Sequence, residues 1–89
     1  MVAQPHPAQL PMKYQANGLP ERPNGAQLRK LREHLKMTQS EFGALVFADA
    51  RCVSLWERNV RNMRRDTWEL LLIRTGADRL GADFFAEYE

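Results

Sequence analysis

Proline is absent after residue 23, and cysteine occurs once, at position 52. One cysteine cannot close an internal disulfide, which fits a reducing compartment and gives the expectation of a cytoplasmic protein. No stretch approaches the roughly 18 apolar residues of a membrane span. The beginning of the chain also lacks the charged-then-apolar pattern of an export signal. Neither a membrane partner nor secretion is therefore expected. Paired carboxylates, Cys/His or Ser/His spacings, clustered metal ligands and a glycine-rich phosphate loop are all missing. An enzyme is not expected, and no catalytic residue, cofactor or metal is assigned.

Eighty-nine residues suffice for one small domain, near the lower limit for a self-sufficient core. The formal charge of +2 is unevenly spread. Residues 25–75 hold ten Lys/Arg against six Asp/Glu, while 76–89 hold Arg79 against Asp78, Asp83, Glu87 and Glu89. A basic centre followed by an acidic tail suits a polyanionic partner at the centre.

All five prolines (Pro5, Pro7, Pro11, Pro20, Pro23) fall in residues 1–24. Prolines that dense block helices and ladders, so this part reads as an irregular arm. Leu10, Met12, Tyr14 and Leu19 are available to dock its second half on the domain. Its only cations are Lys13 and Arg22, few for a groove-binding arm, and His6 has no second ligand at metal spacing.

From residue 25 the pattern is helical. Asn24 and Gln27 stand at capping-box positions, and Leu28, Leu31 and Leu35 line one stripe. Arg29, Lys30, Glu33 and Lys36 are expected in solvent, with His34 off the stripe. Thr38 and Glu41 form a T-x-x-E box before Phe42, Leu45 and Val46. Asp49 then caps a helix whose inward face is Val53 and Trp56. Asp66 and Glu69 offer a D-x-x-E start for a fourth helix with Trp68, Leu71 and Leu72 inside, ended by Gly76. Leu80, Phe84 and Tyr88 recur at i, i+4, i+8, with Phe85 beside them, which predicts a fifth helix packed on the fourth or on a second subunit. The expected fold is all-α: a compact bundle of four to five short helices containing a helix-turn-helix, over residues 25–76. Residues 77–89 form an acidic aromatic tail.

The stretch TQSEFGALVFADARCVSLWERN, Thr38 to Asn59, resembles the helix-turn-helix of the Cro/C1-type (XRE) regulator family. Thr38, Gln39, Phe42, Leu45 or Val46, Val53, Ser54, Trp56 and Glu57 fall on the family pattern without a gap, and the likeness spans roughly residues 25–76. It implies a sequence-specific double-stranded DNA-binding regulator, of repressor type, acting as a homodimer on a near-palindromic operator through the major groove. The implied base-reading positions are Ala50, Arg51, Ser54 and Leu55; Gln39 matches a position that grips the phosphate backbone. Arg58, Arg61, Arg64 and Arg65 are candidates for flanking phosphates. The family also pairs the positions of Arg32 and Glu57.

Three residues depart from the pattern. Asn59 stands where glycine is common and tolerates a left-handed helix stop. Met63 stands near the place where the family often has proline. Phe47 occupies the turn glycine, where a bulky residue with positive φ is costly. The connection is therefore expected to be reshaped, with Phe47 swung into the core, or the angle between the helices to differ. Cys52 stands where Thr or Ser is usual and reads as a small filler. The apolar surplus of Leu70, Ile73, Phe84, Phe85 and Tyr88 is the expected dimer interface. The alternative is an antitoxin whose acidic, aromatic tail or N-terminal arm occupies a toxin while its central domain binds the operator.

Overall fold

The computed structural model describes residues 19–86. The expected arm over residues 1–18, including Leu10, Met12 and Tyr14, and the tail residue Tyr88 lie outside them. Among the described residues are five α-helices: α1 (Gly25–His34), α2 (Gln39–Ala44), α3 (Ala50–Glu57), α4 (Arg65–Thr75) and α5 (Ala82–Ala86), with a 3-10 turn at Ala77–Leu80. The protein is a small all-α bundle in which α2 and α3 form a helix-turn-helix braced by the other helices. No helix among the described residues is long and apolar enough to cross a membrane.

Local chemistry sets the first three helix starts. Asn24 Oδ1 accepts the Gln27 amide at 2.8 Å and Gln27 Oε1 accepts the Asn24 amide at 2.8 Å. Thr38 and Glu41 form the same reciprocal box, at 3.1 and 2.9 Å. Asp49 Oδ1 accepts the Cys52 amide at 2.9 Å. Each satisfies amides that a helix start leaves without a partner. The fourth start departs from expectation. Arg64, not Asp66, occupies the extended cap position, and its side chain makes no cap bond. Asp66 lies inside the first turn, where its carboxylate accepts the Thr67 amide and the Arg64 guanidinium. Met63 and Trp68 are both buried, which fixes where the chain turns inward. A carboxylate one turn in still favours the helix through its dipole.

The ends of α1, α2 and α3 share one device. Lys36, Phe47 and Asn59 adopt φ near 60°. The residue after each donates back five positions: Met37 to Arg32 at 3.2 Å, Ala48 to Gly43 at 2.9 Å, Val60 to Leu55 at 2.9 Å. That pattern is the Schellman closure, which glycine usually serves. Asn59 thus stops its helix as expected. Phe47 does not enter the core: it keeps the left-handed turn and leaves its ring 81% exposed, 5.2 Å from the Arg74 guanidinium carbon. The interior side of the turn is already full. A methyl on Gly43 would come within 2.6 Å of the Ala48 carbonyl oxygen and 3.0 Å of Val53.

Trp68 sits at the centre of the core. Its ring is fully buried, its Nε1 donates to the Pro20 carbonyl at 2.9 Å, and Phe85 meets it edge-on at 5.7 Å. Leu19 is fully buried and Pro23 is buried, so the last residues before α1 do dock on the domain. The tail differs from the single expected helix. Gly81, at φ 82°, breaks it between the 3-10 turn and α5. Nor does it lie on the outer face of α4. Lys30 Nζ donates to the Phe84 carbonyl at 2.7 Å and lies 4.5 Å from the Phe84 ring centre; Gln27 Nε2 donates to the Phe85 carbonyl at 3.1 Å. Lys30 is therefore half-buried, not in solvent as its position on α1 suggested.

The two sides of the α2–α3 turn predict substitutions of opposite sign. Gly43→Ala should destabilise by about 2 kcal/mol, because the contact it creates is with backbone and cannot be relieved by a rotamer change. Phe47→Gly should stabilise by about 0.5–1 kcal/mol, as left-handed strain outweighs the entropy of glycine. Urea unfolding monitored by circular dichroism measures both.

Candidate nucleic-acid interface

Helix α3 has two unlike faces. Val53 and Trp56 are buried against the other helices. At 3.6 residues per turn, Arg51, Ser54, Leu55 and Arg58 fall opposite them. Arg51 and Arg58 are exposed, and Ser54 and Leu55 are half-buried. Three of the four residues expected to read bases thus share one outward face. Ala50, also half-buried, lies at its shoulder. Arg58 Nε donates to Ser54 Oγ at 3.2 Å, laying the guanidinium along that face.

The far end of α3 is held to α1 in several ways. Glu57 accepts two bonds from Arg32, Nε at 2.6 Å and Nη2 at 3.1 Å, with the side chains only 6% and 15% exposed. Arg32 Nη1 also donates to the Met37 carbonyl at 3.1 Å. The hydrogen bonds that Arg32 donates to Glu57 raise its pKa above the already high ordinary value, against the opposing effect of burial, so the guanidinium stays charged. One turn away, the Gly25 amide donates to Asn59 Oδ1 at 2.9 Å, and a side chain at Gly25 would collide with the Glu57 carbonyl. Gln39, expected on a phosphate, is half-buried with Nε2 on Glu57 Oε1 at 3.2 Å. It joins α2 to the same carboxylate, a link that the sequence reading missed.

The loop after α3 carries the remaining candidates. Arg61 is exposed. Arg64 pairs with Asp66 at 3.2 Å, both well exposed; Arg65 pairs with Glu21 at 2.9 Å and Glu69 at 3.6 Å. Arg64, Arg65, Asn62, Met63, Asp66 and Glu69 line an open depression of about 610 Å³ together with Arg22. Sequence reasoning left Arg22 in the arm, because its position depends on the Pro20–Trp68 bond, for which no local pattern exists.

The expected dimer surface is divided. Phe85 is fully buried in the core, so its side chain is not available to a second subunit in this arrangement, and Phe84 is half-buried beside His34 and Lys30. Leu70 is half-buried and Ile73 is 77% exposed on the outer side of α4. Cys52 is half-buried with a free thiol. Among the described residues, no group of three or more His, Cys, Asp or Glu is placed to hold a metal ion. No protein-family model matches the chain, and no curated protein or solved structure matches it.

Removing one member of the Arg32–Glu57 pair strands the other in a largely buried place. Arg32→Ala and Glu57→Ala should each destabilise by about 3 kcal/mol. The double variant should lose clearly less than the sum, as expected of two residues in one network. Denaturant midpoints of the four proteins give the coupling; additive losses would show that the contact has little energetic weight.

Proposed function

We propose that the protein is a sequence-specific double-stranded DNA-binding regulator of repressor type, which binds a twofold operator as a homodimer. The observation that carries this reading is the outward face of α3. It presents Arg51, Ser54, Leu55 and Arg58 to solvent on a helix whose inner face is buried and whose end is fastened to α1 and α2. A helix held in that way fits the major groove, about 12 Å wide, with its side chains preorganised toward base edges. The exposed Arg61 and the Arg64–Arg65 region lie next along the chain, as groove-flanking phosphate contacts require. The resemblance of Thr38–Asn59 to Cro/C1-type regulators points the same way. Ile73 and Leu70 remain as the apolar surface for a second copy. The alternative, an antitoxin, drew on the acidic, aromatic segment 78–89. With Phe84 and Phe85 packed on α1 and Trp68, no observation favours it.

With about three to five phosphate contacts per subunit, log affinity against log salt should fall with a slope on the order of −5 to −9 for a dimer. Selection of bound fragments from random duplexes should return a near-palindrome with half-site centres about 34 Å apart. A flat salt response and no recovered motif would end this reading.

Arg51 allows a sharper test. Arg51→Ala should cost about 1–3 kcal/mol per half-site and flatten preference at one base pair, while Arg64→Ala should weaken all duplexes about equally. Both side chains are exposed, so neither change should move the melting temperature much. Base preference left intact by Arg51→Ala would place that arginine on the backbone.

A further inference from the structure

We propose that Arg58, whose sequence position suggests a phosphate contact, is a second base-reading arginine, and that Ser54 is the residue that positions it. The inference rests on the DNA-binding reading above and assigns a specificity-determining residue within it. Three observations carry it.

The first is direction. Arg58 is the C-cap of α3, seven residues after Arg51, and its N–H still closes onto the Ser54 carbonyl, so the helical path brings it round to almost the direction of Arg51, opposite Val53 and Trp56. A side chain at the centre of the outward face is aimed at the groove floor. Phosphate contacts come from the flanks of a helix or from the loops beside it.

The second is pairing. Arg64 and Arg65 in the adjoining loop, and Arg29 on α1, each meet a carboxylate. Among the described residues, Arg51, Arg58 and the loop residue Arg61 do not, although Asp49 and Glu57 lie within two residues of Arg51 and Arg58. Asp49 caps α3, and Glu57 is taken by Arg32 and Gln39. Both guanidiniums are thus left without a carboxylate to displace before meeting a base.

The third is the Ser54 bond. Arg58 spends one of its five donors, Nε, on Ser54 Oγ at 3.2 Å. That leaves Nη1 and Nη2 as a fork in a fixed orientation, which matches O6 and N7 of guanine. Tethering a long, rotamer-rich side chain before binding also lowers the entropy lost when it docks.

Two turns of helix span about 10.5 Å, and successive bases rise about 3.4 Å, so the Arg58 base pair should lie about three steps from that of Arg51. The test uses the full chain, the duplex motif recovered by selection, and single-base variants of that motif, with affinities read by fluorescence anisotropy. Arg58→Ala should abolish discrimination at one base pair about three from the Arg51 position, a loss of roughly 5- to 150-fold in preference there. Arg58→Lys should not restore it, because an ammonium has no fork. Ser54→Ala should relax the same base pair, and Ser54→Thr, which keeps the hydroxyl, should preserve it. If Arg58→Ala instead weakens every duplex equally and lowers the salt slope by about 1, Arg58 is a phosphate contact. The proposal then falls while DNA binding stands. Unchanged binding by Arg58→Ala would also overturn it. If the wild-type chain yields no motif and a flat salt response, the proposal falls together with the reading it rests on.

Discussion

The fold turns on one carboxylate. Glu57 closes α3, sits almost out of solvent, and takes bonds from Arg32 of α1 and Gln39 of α2. Three helices, none longer than ten residues, are thereby referred to a single pair of oxygens. Helices so short have little stability alone, and their relative placement must come from tertiary contacts. Apolar packing supplies the driving force through Phe42, Val53 and Trp56, but it is tolerant of small rotations. Directional bonds to a buried charge are not, and such a pair sets geometry more than it adds net stability. Gly25 and Asn59 reinforce the same junction from the backbone side. The exposed face of α3 inherits its orientation from this junction.

How much could be read from the sequence follows from how local each cause is. The capping boxes at Asn24 and Thr38 and the Asp49 cap involve residues three apart, and sequence alone located them. The inward stripes of α1, α3 and α4 were legible for the same reason. The left-handed stop at Asn59 was legible because only a few residue types tolerate that conformation. The Arg32–Glu57 pair, which joins residues 25 apart, came from the family resemblance and not from any local rule.

What was misread depended on distant occupants of space. An inward swing of Phe47 was one of two expectations for the turn, and Gly43, Ala48 and Val53 prove to fill the space it would need. Lys30 looked solvated because nothing near it in sequence announces the Phe84 carbonyl 54 residues on. Asp66 looked like a cap because its chemistry is right, yet the helix starts two residues earlier, with Arg64 at the cap between buried Met63 and Trp68. The break in the tail did have a local sign: Gly81 interrupts the Leu80–Phe84 periodicity, and a glycine inside a helical pattern warns of a kink. On the candidate interface, sequence placed the outward residues of α3 but not the hydrogen bond between Arg58 and Ser54.

The seat of Trp68 bears on how small this domain can be made. Its indole N–H is satisfied by the Pro20 carbonyl, and its ring is covered by Phe85, so chain segments from both edges of the described region close over one side chain. A fragment cut to the recognisable pattern, near residues 25–76, would keep the tryptophan but strip away both covers. It would expose apolar ring and leave a donor without its partner. The stretch that carries the recognisable pattern is therefore shorter than the stretch that builds the core. Leu19 and Pro20 on one side and Ala77 and Phe85 on the other belong to the core.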